Sequence, residues 1–299
     1  VFEHLGVLDK ALTLGAKVTG LEGQLPDKRL LVNSHYHEAS ANLYGLGIHR
    51  ATLCHVLTQK LSEYSSQITW CMSHSVESFE ERNDEIRLFG MHQNHKFDAC
   101  FDGLLIANGA RSQLRPKAWV KVDKAYPWGA TWSIVPECQV LDSEILHQFY
   151  DRSKIMMGIL PTGAIPTEPQ QRLSSVFWSL PTPQLQSFLQ DEQAKQAWLK
   201  QVSERWPKVA EWLKEILYNS QTQPKWLSAN YRDVVLTQFG QGRVGVIGDA
   251  AHAMSPQLGQ GANMALLDAW AFSQSLRQAQ KNQNIDWSLL WQHYHQLRR

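Results

Sequence analysis

The densest chemistry in this 299-residue sequence lies between residues 245 and 269. It reads Gly245-Val246-Ile247-Gly248-Asp249-Ala250-Ala251-His252, then Pro256, then Gly259-Gln260-Gly261-Ala262-Asn263, then Asp268-Ala269. The pattern predicts a strand over Val244–Ile247, an acidic turn, a glycine loop and a helix from Gln260 to Gln278. A carboxylate at the C-terminal end of a strand can accept hydrogen bonds from sugar-type hydroxyls. A glycine-rich helix start brings bare N–H groups against a ligand. Together they suit a large, polyol-containing cofactor. A neighbouring GxGxxG match, Gly240-Gln241-Gly242-Arg243-Val244-Gly245, is a decoy. That fingerprint works after a strand and at the opening of a helix, whereas these glycines precede a strand and read as the turn into it.

Two more segments carry recognisable spacing. One is Phe101-Asp102-Gly103-Leu104-Leu105-Ile106-Ala107-Asn108-Gly109-Ala110-Arg111-Ser112-Gln113-Leu114-Arg115, an apolar strand followed by a polar loop that ends in arginine. The other is Gly47-Ile48-His49-Arg50-Ala51-Thr52-Leu53, which sets an arginine in the first turn of a helix. In their order along the chain, the three segments resemble the motifs of FAD-dependent aromatic hydroxylases, the 4-hydroxybenzoate hydroxylase family.

The resemblance implies FAD as cofactor and NAD(P)H as electron donor, with Arg50, Asn108, Asp249, Pro256, Gly259, Gln260, Gly261, Ala262 and Asn263 as cofactor-binding residues. Arg50 would reach the diphosphate side and Asp249 the ribityl chain. Pro256 and Gly259 would shape the loop beside the ring. The N–H groups of Gly261, Ala262 and Asn263 would face the flavin's pyrimidine edge, with His252 as a neighbour that hydrogen-bonds in the turn. The implied reaction is hydroxylation of an aromatic or similarly electron-rich small molecule through a flavin hydroperoxide, with no catalytic side chain named. Alternatives are another FAD-dependent oxidoreductase with the same cradle, a reductase or halogenase, or a non-catalytic remnant.

Two departures from the family pattern stand out. Asn108 occupies a position where the family usually has Asp, which keeps an acceptor oxygen and loses the charge. The family's GxGxxG strand-turn-helix would precede Val1, so the chain is expected to be a fragment, truncated at both ends and not active alone, without the site for the ADP half of FAD.

The elements that must position these residues follow from periodicity. Phe2, Leu5, Leu8, Ala11, Leu12 and Leu14 predict an opening helix that stops at Gly15, and residues 17–46 read as short strands and turns. A helix is expected over His49–Tyr64, β-structure over 68–106, and a buried strand at Leu104-Leu105-Ile106. Residues 125–181 are strand-rich and aromatic, and 182–217 turn helical with a break at Pro207. Trp128, Trp132 and Trp178 are the candidate substrate wall.

The expected fold class is α/β, with α+β elements: a truncated Rossmann-like FAD-binding domain beside a strand-rich substrate domain covered by helices. Residues 41–120 and 229–299 are assigned to the first and residues 1–40 and 121–228 to the second.

Composition excludes other classes. With 29 Lys plus Arg against 28 Asp plus Glu, the formal charge of +1 offers no basic field for nucleic acid or an anionic membrane. No apolar run approaches the length of a membrane span and the N-terminus has no signal-peptide pattern, so a cytoplasmic location is expected. Cys54, Cys71, Cys100 and Cys138 are far apart and suggest free thiols. His35-Tyr36-His37 would set two imidazoles on one strand face, but no acidic or cysteine partner recurs nearby, and no metal is assigned.

Overall fold

The computed structural model describes residues 1–152, 154–219, 224–256, 259–281 and 284–298. Helix α1 (Leu8–Leu14) ends at Gly15, and β1 (Ala16–Val18), β2 (Gly20–Gln24), β3 (Leu30–His35) and β4 (Gly45–Gly47) follow. Helix α2 (Arg50–Ser62) begins at an N-cap His49 whose ring accepts from Ala51 N at 3.1 Å. A meander of β5 (His74–Glu81), β6 (Ile86–His92) and β7 (His95–Phe101) precedes β8 (Leu104–Ile106). Next come β9 (Val120–Pro136), β10 (Ile145–Asp151), β11 (Ile155–Ile165) and β12 (Glu168–Pro181). The helical stretch is α3 (Leu185–Gln190), α4 (Glu192–Arg205) and α5 (Pro207–Tyr218). Pro207 opens α5, where its missing N–H is harmless. Strands β13 (Leu227–Leu236), β14 (Gly240–Gln241) and β15 (Val244–Val246) lead to α6 (Asp249–His252), α7 (Gly261–Ala279) and α8 (Trp287–Arg298). The fold is mixed α/β, as expected.

The chain packs as two compact units, one built from Phe2–Ile68 and Pro127–Asn230, the other from Thr69–Tyr126 and Tyr231–Arg299. Residues 41–68, grouped by sequence with the cofactor segments, pack in the first unit. The reason is non-local pairing: β4 pairs with β1, Gly47 backs onto the Pro161 carbonyl, and Thr52 Oγ1 donates to Ala164 O at 2.7 Å.

In the first unit a seven-stranded sheet runs β13-β9-β12-β11-β10-β2-β3. Trp178 is opposite Thr131 and Met157, while Phe177 is opposite Trp132 and Gly158. Paired residues share a face and successive residues alternate, so these two rows point to opposite sides. The Trp178 side is covered by the helices, whose Trp198, Val202 and Leu213 share a core with Trp178, Met157 and Val176. On the other side the Phe177 ring lies over Gly158, where a β-carbon would come within 1.9 Å of the ring. Sequence reading expected His35 and His37 on one strand face. Instead β3 ends at His35, and Tyr36–Glu38 turn into a short 3-10 helix closed by the Glu38 carboxylate on His35 N.

In the second unit the β5–β6–β7 meander packs near a small sheet of order β14-β15-β8. Strands β8 and β15 are parallel, with Val244 opposite Leu104 and Val246 opposite Ile106, and Ile247 N extends the ladder to Ile106 O at 3.0 Å. Both are buried among Ile86, Val234, Ala250 and Ala251. The GxGxxG letters form the hairpin from β14 to β15, in keeping with the sequence reading. Among the described residues no helix is long and apolar enough to cross a membrane, and no group of His, Cys, Asp or Glu is arranged to hold a metal ion.

Candidate functional site

Parallel strands deliver their loops to the same edge, and in open α/β sheets ligands bind beyond the carboxyl ends of the strands. Here β8 runs into Asn108 and β15 into Asp249, so both side chains follow the carboxyl ends of paired parallel strands. Asn108 is exposed. The turn before Asp249 is made by Gly248 at φ +59° and ψ −148°, a conformation closed to residues with a β-carbon. It lets the chain leave a buried strand and start α6 at once.

The first turn of α7 lies beside this carboxylate. The position of a β-carbon on Gly261 is 4.0 Å from Asp249 Oδ1, an ordinary van der Waals distance that sets the carboxylate against the helix start. Gln260 precedes the helix without a side-chain cap, leaving the first-turn N–H groups of Gly261, Ala262 and Asn263 uncapped by a side chain at an exposed helix start. The Asn263 carboxamide donates to Gln260 Oε1 at 3.0 Å. Pro256 and Gly259 are exposed on the connecting loop, whose Gln257 and Leu258 lie outside the described residues.

Beneath the turn is a buried polar hub that sequence reading did not assign. The Asp268 side chain is 1% exposed, on α7. Its Oδ2 accepts from Gly248 N at 2.7 Å and from His252 Nε2 at 2.5 Å, and its Oδ1 accepts from Arg298 Nε at 2.6 Å. Burial would raise the Asp268 carboxyl. Hydrogen bonds from His252 and Gly248, with the charges of His252 and Arg298, outweigh it and hold the group below the ordinary carboxylate value. Burial first, and then the Asp268 charge, push the neighbouring Tyr294 phenol well above its usual range. The available signal was an acid inside the apolar run Met264-Ala265-Leu266-Leu267-Asp268-Ala269-Trp270; nothing in the sequence points to Arg298 as its partner.

A second tie joins the two loops. Arg115, 3% exposed, donates through Nη1 to Ala110 O at 3.1 Å and Ala250 O at 3.0 Å, and through Nη2 to Ala110 O at 3.0 Å and Asp123 Oδ2 at 2.8 Å. The arginine of the second motif therefore locks the loop after β8 to α6. Asp123 also binds Arg232. Burial works to raise the Asp123 carboxyl, and the two guanidiniums override it and hold it low.

Asn108, Asp249, Pro256, Gly259, Gln260, Gly261, Ala262 and Asn263 thus share one unit, while Arg50, exposed at the start of α2, belongs to the other. Of the aromatic candidates, Trp128 and Trp132 are half-buried on the sheet face away from the helices. Trp178 is corrected: it is 3% exposed and meets Trp198 edge-on in the helix-covered core, because its place in the register turns it to the other face.

The family model for the FAD binding domain matches residues 1–299. The chain belongs to that FAD-binding family. Over 51 residues it is 39% identical to the chloroplastic zeaxanthin epoxidase of an Oncidium hybrid cultivar, a stretch that spans 17% of this chain and 8% of that enzyme. The fold is similar to PqsL of Pseudomonas aeruginosa, solved in complex with 2-aminobenzoylacetate, at TM-score 0.80 and 17% identity, covering 99% of this chain and 77% of that one. It is also similar to the p-nitrophenol 4-monooxygenase PnpA of Pseudomonas putida DLL-E4, at TM-score 0.74 and 16% identity, covering 99% and 71%.

The residues present fit the riboflavin half of FAD. A carboxylate and a carboxamide stand ready for ribityl hydroxyls, and uncapped helix N–H groups suit the electron-accepting edge of the ring. FAD is accordingly the cofactor of this family member.

Proposed function

We propose that this chain is the cofactor- and substrate-binding part of an FAD-dependent monooxygenase, driven by NAD(P)H, that hydroxylates a small aromatic or similarly electron-rich molecule. The observation that carries the reading is the Asp249 carboxylate beside the uncapped start of α7, at the carboxyl edge of two parallel strands, in a chain that matches an FAD-binding family along its whole length. Bound FAD supplies the chemistry itself, accepting electrons from the nicotinamide and activating O2.

The protein's work is to bind, orient and exclude water. Asp249 accepts hydrogen bonds from the ribityl hydroxyls, and Asn108 adds a neutral contact from the neighbouring loop. Arg50 serves the diphosphate. Pro256 and Gly259 shape the loop at the ring, and Gln260 leads into the helix. The N–H groups of Gly261, Ala262 and Asn263 favour negative charge on the pyrimidine edge by about 0.3–1 kcal/mol, and up to about 2 where partly buried. Trp128 and Trp132, with Phe177, offer an aromatic wall on the sheet face away from α3–α5. The names of two neighbours support an aromatic substrate: one is a p-nitrophenol 4-monooxygenase, and the other was solved with 2-aminobenzoylacetate.

The test is a screen of phenols and aminobenzoyl compounds for substrate-dependent NAD(P)H oxidation by the whole protein, followed by reaction under isotopically labelled O2. One labelled oxygen in the product is the expected result. NAD(P)H oxidation that yields product without label would replace hydroxylation by another flavin reaction.

A further inference from the structure

We propose that Asp268 is a positioning residue for the flavin's ribityl chain, acting through the Gly248–Asp249 turn and held in place by Arg298 of α8. The inference rests on the flavin reading above. Asp268 cannot itself touch a cofactor, since its side chain is 1% exposed and both oxygens are engaged. What it controls is a backbone. Gly248, itself buried, holds φ +59° and ψ −148°, and its carbonyl accepts from Ala251 N at 2.8 Å and His252 N at 3.1 Å, which ties it to the start of α6. The Gly248 N–H donates to Asp268 Oδ2 at 2.7 Å, which fixes the peptide on the strand side of the turn. The direction in which Asp249 leaves the strand is set by that peptide.

The same oxygen takes His252, at the far end of α6, so one carboxylate grips both ends of the four-residue helix that carries Asp249. Arg298 neutralises the other oxygen and reaches Met264 O at 3.5 Å, so the end of α8 steadies the α7 stretch behind the turn. The arrangement explains why an acid occupies a buried position on α7, where a charge is tolerated only when paired and hydrogen-bonded. It assigns α8 a part in cofactor binding with no contact to the cofactor.

The role is separable from general stability by the flavin used as probe. Riboflavin carries the ribityl chain and lumiflavin lacks it, so a residue that acts through Asp249 should matter to the first alone. Fluorescence titrations would compare wild type, Asp268→Asn, Asp268→Ala and Arg298→Gln. Asp268→Ala should weaken riboflavin by about tenfold to a hundredfold, the range of one charge-assisted hydrogen bond. Asp268→Asn keeps an acceptor for Gly248 but turns an amide donor toward Arg298, and should fall between Asp268→Ala and wild type. Lumiflavin affinity should stay within about twofold throughout. Hydrogen exchange without flavin is the second measurement: peptides covering 246–253 should exchange faster in Asp268→Ala, with β9–β12 peptides unchanged.

Equal losses for both flavins, or an unchanged riboflavin affinity, would overturn the positioning role. A folded wild type that takes up neither flavin would instead remove the flavin reading, and the exchange measurement would still decide whether Asp268 fixes the turn: no change at 246–253 overturns that as well.

Discussion

Arg115→Ala should loosen the cofactor edge without touching a cofactor. The guanidinium makes four hydrogen bonds of 2.8–3.1 Å, three to the carbonyls of Ala110 and Ala250 and one to Asp123. Removing one partner of a buried ion pair costs about 3–5 kcal/mol, because the remaining groups lose their compensation. Here the Asp123 side chain is 26% exposed and keeps Arg232, so its charge is not orphaned, and the lower end of about 3 kcal/mol applies. That loss falls on the two segments Arg115 joins, the loop after β8 and α6. Amide exchange by mass spectrometry reads it locally. Peptides spanning 104–112 and 246–253 should exchange about a hundredfold faster when exchange proceeds through local opening, while α3–α5 peptides keep their rates. Arg115→Lys keeps the charge but loses the fork that spans two carbonyls and a carboxylate, and should give an intermediate rise. Exchange within a few-fold of wild type in both segments would refute the view that Arg115 holds the two loops together.

Other substitutions separate the remaining roles. Asn108→Asp restores the family's usual charge; a charged hydrogen bond is worth about 1 kcal/mol more than a neutral one, so FAD should bind about fivefold tighter in a fluorescence titration. Trp178→Ala should cost about 3–5 kcal/mol in chemical denaturation, as expected for a core aromatic at 3% exposure, whereas Trp132→Ala, half-buried on the face away from α3–α5, should cost less and act mainly on KM for the substrate. Asp123 and Asp268 both have folded values below their unfolded one, about 3.9 for Asp, so their stabilisation is present above that value and is lost as pH falls through the folded value. Acid unfolding below about pH 4 should therefore be shallower in Asp268→Asn than in wild type, measured by urea midpoints at successive pH values.

The strand-turn-helix around Asp249 was legible because its signals are local. An apolar strand, an acid and a glycine loop adjoin in sequence, so β15, the turn at Asp249 and the start of α7 could be expected from the local pattern, while the part given to Asp249 came from the family resemblance. The same locality exposed the GxGxxG decoy, since the order of glycines and strand settles whether a helix follows. Features that depend on pairing across the chain were not legible. Arg298 meets Asp268 through the return of α8, and no periodicity encodes that. Residues 41–68 join the first unit because β4 finds β1, which a boundary that groups the Arg50 segment with the cofactor motifs does not register. Trp178 was set beside Trp128 and Trp132 as an aromatic neighbour, but strand faces alternate, and the β9–β12 register turns Trp178 inward. His37 left the strand because the Glu38 carboxylate bonds His35 N and starts a turn there.

The most direct test of the cradle is an equilibrium titration of the 299-residue protein with riboflavin, the half of FAD these residues fit, followed by flavin absorbance and fluorescence, beside Asp249→Ala. Saturable binding with a perturbed flavin spectrum, weakened by about tenfold or more in Asp249→Ala, is the expected result. A folded wild type that takes up no riboflavin, or whose riboflavin binding is unaltered by Asp249→Ala, would contradict the site described at the carboxyl edge of β8 and β15.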